Sequence, residues 1–369
     1  MKTVLITGSS GLIGSAVVEK FVKEKWDVIG VDNYARGKIF GKEAETRGTI
    51  QKISEQLGNV EILEADIRDT DKMTEVIKRA DAIVHCAAQP SHPRSLEIPI
   101  EDFQINAFGT LNLLEIMRKQ NPEIPFAFLS TNKVYGDYPN YFNYQTVGRR
   151  YENVAVDSFD ETLPIDRCGH TPFGVSKVAA DLYCQEYGIN FGMKTATFRG
   201  GCLIGANQKA VEMHGFLGFF TKQILLGNKL KLYGGGCRVR DNIHSSDVSD
   251  VLYRWVKKPK PDAFGKFGKP YNLGGMRQNS VSIFETIDAI ETKTGLKAKY
   301  EEAPERESDH IWWISDMSKF KRDYPDWPGL AKDLDYIFNE LLENWIELHN
   351  LDIKLKERDY FKKLGQKGS

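Results

Sequence analysis

Apolar residues fall into two alternating rhythms over the first two hundred positions. Short apolar runs predict strands at 2–7, 26–32, 60–65, 82–88 and 126–130. Between them apolar positions recur at helical spacing, with Val17, Val18, Phe21 and Val22 on one face of a helix at 15–25. The same spacing predicts a helix at 72–79 and a long one around 98–119, and the polar stretch at about 34–58 includes a surface helix. The strands are continuously apolar rather than alternating, so the sheet should be parallel and buried on both faces. The expected class is α/β, with helices on both faces of the sheet over residues 1–200.

After residue 200 the rhythm changes. Loops lengthen, Gly, aromatic and charged residues become frequent, and 230–233 and 299–302 read as smaller strands. We expect a smaller C-terminal substrate-binding lobe over 201–349, with some chain returning to the first domain. The charged tail at 350–369 is expected to fray at its end. There is no internal repeat and no low-complexity tract.

Composition narrows the partners. A net charge of −1 over 369 residues gives no electrostatic reason to expect nucleic acid or anionic lipid. No stretch reaches the roughly 18 apolar residues of a membrane span, and no charged-then-apolar leader precedes the first strand. The five cysteines are scattered, odd in number and never spaced as CxxC. They read as reduced thiols of a cytoplasmic protein, not as a disulfide frame or a metal site.

The first candidate chemistry is Thr7-Gly8-Ser9-Ser10-Gly11-Leu12-Ile13-Gly14, between a strand and a helix. Glycines at 8, 11 and 14 permit a tight turn, backbone approach to a pyrophosphate and close helix–strand packing. The helix start offers free N–H groups to phosphate oxygens. With the strand rhythm, this makes the expected fold a Rossmann-type parallel sheet. Asp32 ends the second strand, where a carboxylate binds the adenosine ribose and repels a 2′-phosphate, so NAD is the expected cofactor; Arg36 is a counter-signal. Asp66 suits an adenine contact, or is a solvated loop residue.

The GxxGxxG spacing resembles the extended short-chain dehydrogenase/reductase family, and the likeness covers roughly residues 1–345. It is carried by His85-Cys86-Ala87-Ala88-Gln89, by Asn106-Ala107-Phe108-Gly109-Thr110, by Ser130-Thr131-Asn132-Lys133-Val134-Tyr135-Gly136-Asp137, and by Tyr233 to Asp241 with His244 and Asp247. The last of these resembles the nucleotide-sugar epimerase branch. Within it, Ser130 to Asp137, His214 to Phe220 and Arg306-Glu307-Ser308-Asp309 resemble the CDP-tyvelose (CDP-paratose) 2-epimerase group. The resemblance implies NAD contacts at Gly8, Gly11, Leu12, Ile13, Asp32, Asn33, Asp66, Ile67, Ala87, Ala88, Gln89, Asn106, Lys177 and Arg199. It implies substrate contacts at Thr131, Asn132, Lys133, Cys202, Arg240, Arg306 and Asp309, and a homodimer formed through helices 98–119 and 173–187.

The family oxidises a sugar alcohol with a Tyr four residues before a Lys, both on one helix face. The Lys holds the nicotinamide ribose and lowers the Tyr pKa, while a Ser or Thr hydroxyl bonds the reacting oxygen. Thr131 and Lys177 fit those last two roles, but the Tyr position holds Phe173. Either the residue is an introduced Tyr→Phe substitution, or the chain uses another base or is non-catalytic, or the register is wrong. Tyr135 and His170 read first as a packed Tyr and a loop His, and only second as substitutes. Related 4,6-dehydratases carry Asp-Glu after the Thr, because water elimination needs an acid and a base. Asn132 and Lys133 therefore favour simple oxidation and re-reduction.

Arg240 and Arg306 resemble the clamp on the substrate diphosphate, or are surface ion pairs. Asp309 resembles the acceptor for the nucleotide ribose. Cys202 stands where many relatives place Asn, and His244 and Asp247 read mainly as structural. The resemblance implies an NAD-dependent epimerase acting by transient oxidation at C2 of a CDP-sugar. The alternatives are a 4-epimerase of a UDP-sugar and a non-catalytic NAD sensor.

Overall fold

Val4, Leu5 and Ile6 are fully buried, as a strand covered on both faces must be. The computed structural model describes residues 1–209, 211, 215–306 and 308–367; His214 and Glu307, in two of the segments quoted above, lie outside them. Strand β1 (Thr3–Thr7) pairs in parallel with β2 (Asp27–Asp32) on one side and β4 (Ala82–His85) on the other. Beyond β2 lies β3 (Val60–Glu64), and beyond β4 lie β5 (Phe126–Thr131), Thr195–Gly200 and Lys269–Leu273. All seven strands are parallel.

The order reverses between β1 and β4, so the loops leaving these two strands diverge and open a crevice at their C-terminal ends. The last strand comes from beyond residue 260, and helix Ser245–Lys257 packs beside helix α1 (Leu12–Lys23) through Val248, Val251, Leu252 and Trp255. The chain thus returns to the large sheet after residue 244. The other face is covered by Met73, Leu113, Leu114, Met117 and Cys184.

The long helix expected at 98–119 runs from Pro99 to Gln120 and is interrupted by a π-helical turn, Gln104–Phe108. The substrate lobe has its own core, with Leu217, Ile224, Ile287, Ile290, Phe338 and Leu341 packed together. Lys229–Tyr233 and Lys299–Ala303 pair in parallel, where the two smaller strands were expected. The charged tail packs on the lobe over much of its length, and residues 368 and 369 at its end, where fraying was expected, lie outside the described residues. Leu351, Ile353, Leu355, Tyr360 and Phe361 pack on the lobe, and buried Lys293 donates to the Arg358 carbonyl at 2.8 Å. Apolar residues spaced two apart within the charged tail supply that anchor. Among the described residues no helix is long and apolar enough to cross a membrane.

Candidate active site

The glycine loop is shaped from both sides. Gly8 has φ +68°, and a side chain there would meet the Ala87 backbone across the strand reversal at 2.6 Å. A side chain at Gly14 would lie 1.9 Å from the Gly8 carbonyl. Gly11 differs, since a Cβ there would meet nothing closer than that carbonyl at 3.4 Å. The fold does not need Gly11 bare; the cavity in front of it does. Gly11 also caps α1 with no side-chain hydrogen bond, which leaves the helix start open to a ligand.

That cavity, of about 500 Å³, runs from the loop to the substrate lobe. Gly8, Gly11, Leu12, Ile13, Asp32, Asn33, Asp66 and Ile67 line one end, and Ala87, Ala88, Thr131, Phe173 and Lys177 its middle. Asn132, Lys133, Cys202, Arg240, Arg306 and Asp309 line the other end. The Asp32 carboxylate accepts from the backbone N–H of Ser10 (3.0 Å) and of Tyr34 (2.8 Å), so it is fixed beside the loop. Burial opposes charge on Asp66. The Arg68 guanidinium and backbone N–H outweigh it, with the Asn33 amide, and hold that pKa at about 2. A bare glycine before an uncapped helix, with a fixed carboxylate at the end of β2, is a donor and acceptor set that fits NAD.

Three expected cofactor contacts are not at this surface. Gln89 and Asn106 are buried behind it. Asn106 exchanges hydrogen bonds with the Gln89 backbone (3.0 and 3.1 Å), and Gln89 donates to Asp102 at 2.6 Å. The π-helical turn directs Asn106 into this network, where Ser176 also donates to Asp102. Arg199 forks onto Asp181 (3.1 and 2.9 Å) and donates to the Tyr135 hydroxyl (2.9 Å). A guanidinium buried this deeply needs a carboxylate, and Asp181 supplies it. These three residues stiffen the wall rather than line it.

In the middle of the cavity Phe173 and Lys177 lie one helical turn apart on helix Thr171–Asn190. The Lys177 ammonium donates to the Leu129 carbonyl at 2.9 Å, and burial pulls its pKa down to about 8. Tyr135 is fully buried, donates to Asn272 and stacks on Trp313; both ring nitrogens of His170 face carbonyls at 3.0 Å. Neither lines the cavity. His244 bonds Ser246 and Glu340, and Asp247 accepts from the Ala331 and Lys332 backbone, in agreement with their structural reading.

At the substrate end Arg240 and Asp309, expected to hold different parts of a ligand, hold each other at 2.8 Å. Lys133 donates to the Ser308 carbonyl (2.9 Å) with Asp309 at 3.8 Å, and burial lowers its pKa to about 8. Burial disfavours a charged Asp309, but Arg240 and Lys133 more than offset it and hold the carboxyl well below the usual range. Burial also pushes the Cys202 thiol up to about 12. The Arg306 guanidinium lies 3.8 Å from the Tyr233 ring centre. Arg238 and His92 are among the lining residues that the sequence reading did not assign to the site. Arg238 stands two residues before Arg240, and the period of two along an extended segment would have found it. His92 follows the fourth strand and has no spacing signal at all.

Residues 4–274 match the model of the NAD dependent epimerase/dehydratase family. A CDP-paratose 2-epimerase from Salmonella typhi is 31% identical over 85% of this chain and 91% of its own length. This chain belongs to the NAD dependent epimerase/dehydratase family. A putative UDP-glucose 4-epimerase from Methanocaldococcus jannaschii is 29% identical, over 80% of this epimerase/dehydratase and 84% of the relative. The solved UDP-glucuronic acid 4-epimerase of Bacillus cereus, in complex with UDP-glucuronic acid and NAD, superposes with a TM-score of 0.78 at 22% identity. That match covers 94% of this chain and 99% of the other. NAD is the cofactor of the family, and the relatives act on nucleotide sugars.

Proposed function

We propose that this chain inverts C2 of a CDP-activated deoxyhexose. The observation that carries the reading is that Thr131, Asn132 and Lys133 all line the cavity, with an amide and an ammonium where elimination would need two carboxyl groups. The likeness to the Salmonella enzyme supports the choice of CDP and C2.

In this reading the Gly8–Ile13 loop holds the cofactor pyrophosphate, Asp32 its adenosine ribose, Asn33, Asp66 and Ile67 its adenine side, and Lys177 its nicotinamide ribose. When bound, NAD accepts a hydride from carbon and returns it. Thr131 directs the hydroxyl oxygen of the reacting carbon. Arg240 and Arg306 take the diphosphate, which competes with Asp309 for Arg240, and the released carboxylate faces the nucleotide ribose. The 2-keto sugar turns in the cavity and is reduced from its other face. No net oxidation occurs, so no external reductant is needed.

A 4-epimerase of a UDP-sugar is the second reading, supported by the archaeal relative. A cytoplasmic homodimer belongs to the proposal too, on the strength of five free thiols and the exposed Val175, Leu182 and Phe103. The test incubates the chain and its Phe173→Tyr variant with CDP-paratose and with UDP-glucose, reading each sugar carbon by NMR. Inversion at C2 of the CDP-sugar alone is expected. Turnover of UDP-glucose alone selects the second reading. Inactivity of both forms on both sugars, with NAD bound, leaves the non-catalytic NAD sensor.

A further inference from the structure

Arg238 stands just before the strand Val239–His244 and is almost fully buried. A guanidinium keeps its charge and must find acceptors when it leaves water. Arg238 has one acceptor for each of its nitrogens. Nε donates to the Gly234 carbonyl (3.0 Å), one terminal nitrogen donates to the Asp309 carbonyl (3.2 Å), and the other donates to the Glu305 carboxylate. Gly234 leaves room for this arrangement. Its φ is +69°, and a Cβ there would stand 2.3 Å from Nε of Arg238.

The three acceptors surround Arg306. Glu305 and Asp309 lie on either side of it in the chain. Gly234 follows Tyr233, whose ring centre is 3.8 Å from the Arg306 guanidinium. The Asp309 N–H donates to the Arg306 carbonyl at 3.3 Å, and Ser308 takes φ +53°, a conformation that residues other than glycine rarely adopt. Such a turn needs anchors, and it has several. Lys133 donates to the Ser308 carbonyl (2.9 Å), Asn140 to the Asp309 carbonyl (3.0 Å), and Arg240 to the Asp309 carboxylate (2.8 Å). A diphosphate presents the same paired oxygens as a carboxylate, so the Arg240 anchor is the one a ligand competes for.

We infer, on the reading of Arg240 and Arg306 as the diphosphate clamp, that Arg238 is the positioning residue of that clamp. It holds the turn through the Asp309 carbonyl and the Glu305 side chain, and ties both to the strand end beside Tyr233. Arg240 can then exchange the Asp309 carboxylate for a diphosphate while Arg306 keeps its place on the Tyr233 ring. Arg238 acts through Arg306 and not by touching the ligand. Its three-way fork is what the task requires, and a lysine, with the same charge on one nitrogen, cannot reproduce it.

The experiment measures CDP and NAD binding to the full chain by calorimetry, for the parent, Arg238→Met, Arg238→Lys, Glu305→Ala, Arg306→Met and the pair Arg238→Met/Arg306→Met. Arg238→Met is expected to weaken CDP at least about tenfold and NAD less than about threefold. Arg238→Lys is expected to weaken CDP at least about fivefold despite keeping the charge. Glu305 is exposed, so Glu305→Ala leaves folding intact and should weaken CDP at least about threefold. Once Arg306→Met has removed the residue being positioned, adding Arg238→Met should cost less than about threefold more. Losses that multiply in the paired variant overturn the inference, because Arg238 then meets the ligand itself. Parent-like CDP affinity in Arg238→Met, Arg238→Lys or Glu305→Ala overturns it too, as does an equal loss of NAD and CDP. If Arg306→Met alone binds CDP as the parent does, the clamp reading fails and the inference falls with it.

Discussion

Lys177, proposed to hold the nicotinamide ribose, carries a charge that is costly to bury. Its amine is buried against Leu129 and the Phe128 ring, with Asp181 and Cys184 on its own helix and Asp102 and Cys86 facing it. Burial lowers its pKa from 10.5 to about 8 in the folded protein, so the unfolded chain holds more protons between those values. Unfolding free energy should therefore rise with pH from about 8 to about 10.5, and below pH 8 the full cost applies. Lys177→Met should stabilise the cofactor-free protein at pH 7 by about 2–3 kcal/mol and flatten that rise, read by urea unfolding across pH. A variant less stable at pH 7 than the parent would contradict this. Lys177, Thr131 and Asp32 were legible in the sequence because motif spacing marks them. Gln89, Asn106 and Arg199 misled because a motif gives position but not direction: a π-helical turn and the Asp181 carboxylate turn them away from the cavity.

At the scale of elements, the loop and helix α1 separate folding from binding. Gly14→Ala forces a carbon to 1.9 Å from the Gly8 carbonyl, and no flexible side chain can yield. It should cost more than about 2 kcal/mol in stability. Gly11→Ala has room, with 3.4 Å to the same atom. It should change stability by less than about 0.5 kcal/mol while weakening NAD binding by at least about tenfold, read by calorimetry. Equal stability losses in the two variants would refute the distinction. The five strands of the first half were readable because parallel strands buried on both faces are continuously apolar. The seventh strand was not, because Lys269–Leu273 carries a Lys and a Pro and is set by its pairing with Thr195–Gly200. The docking of the tail was not legible, because charge dominates its composition while its apolar residues decide where it packs.

Among the described residues, apolar side chains are exposed along helix Thr171–Asn190 and its neighbour. Val175 and Leu182 lie seven residues apart on helix Thr171–Asn190 and are about half exposed, with Phe103 of the neighbouring helix also exposed. A seven-residue spacing puts Val175 and Leu182 on one face. Light scattering should give twice 41.9 kDa for the parent and a single-chain mass for the paired change Val175→Glu and Leu182→Glu. A parent that runs as a single chain would exclude the dimer. In the proposed reading two nucleotides share this cavity and the sugar turns between Thr131 and Arg240, which both line it. CDP-paratose deuterated at C2, incubated with the chain and no added reductant, tests that arrangement most directly. Inversion with the deuterium kept at C2 is expected, since the same hydride leaves and returns. Inversion with deuterium lost to solvent would contradict it.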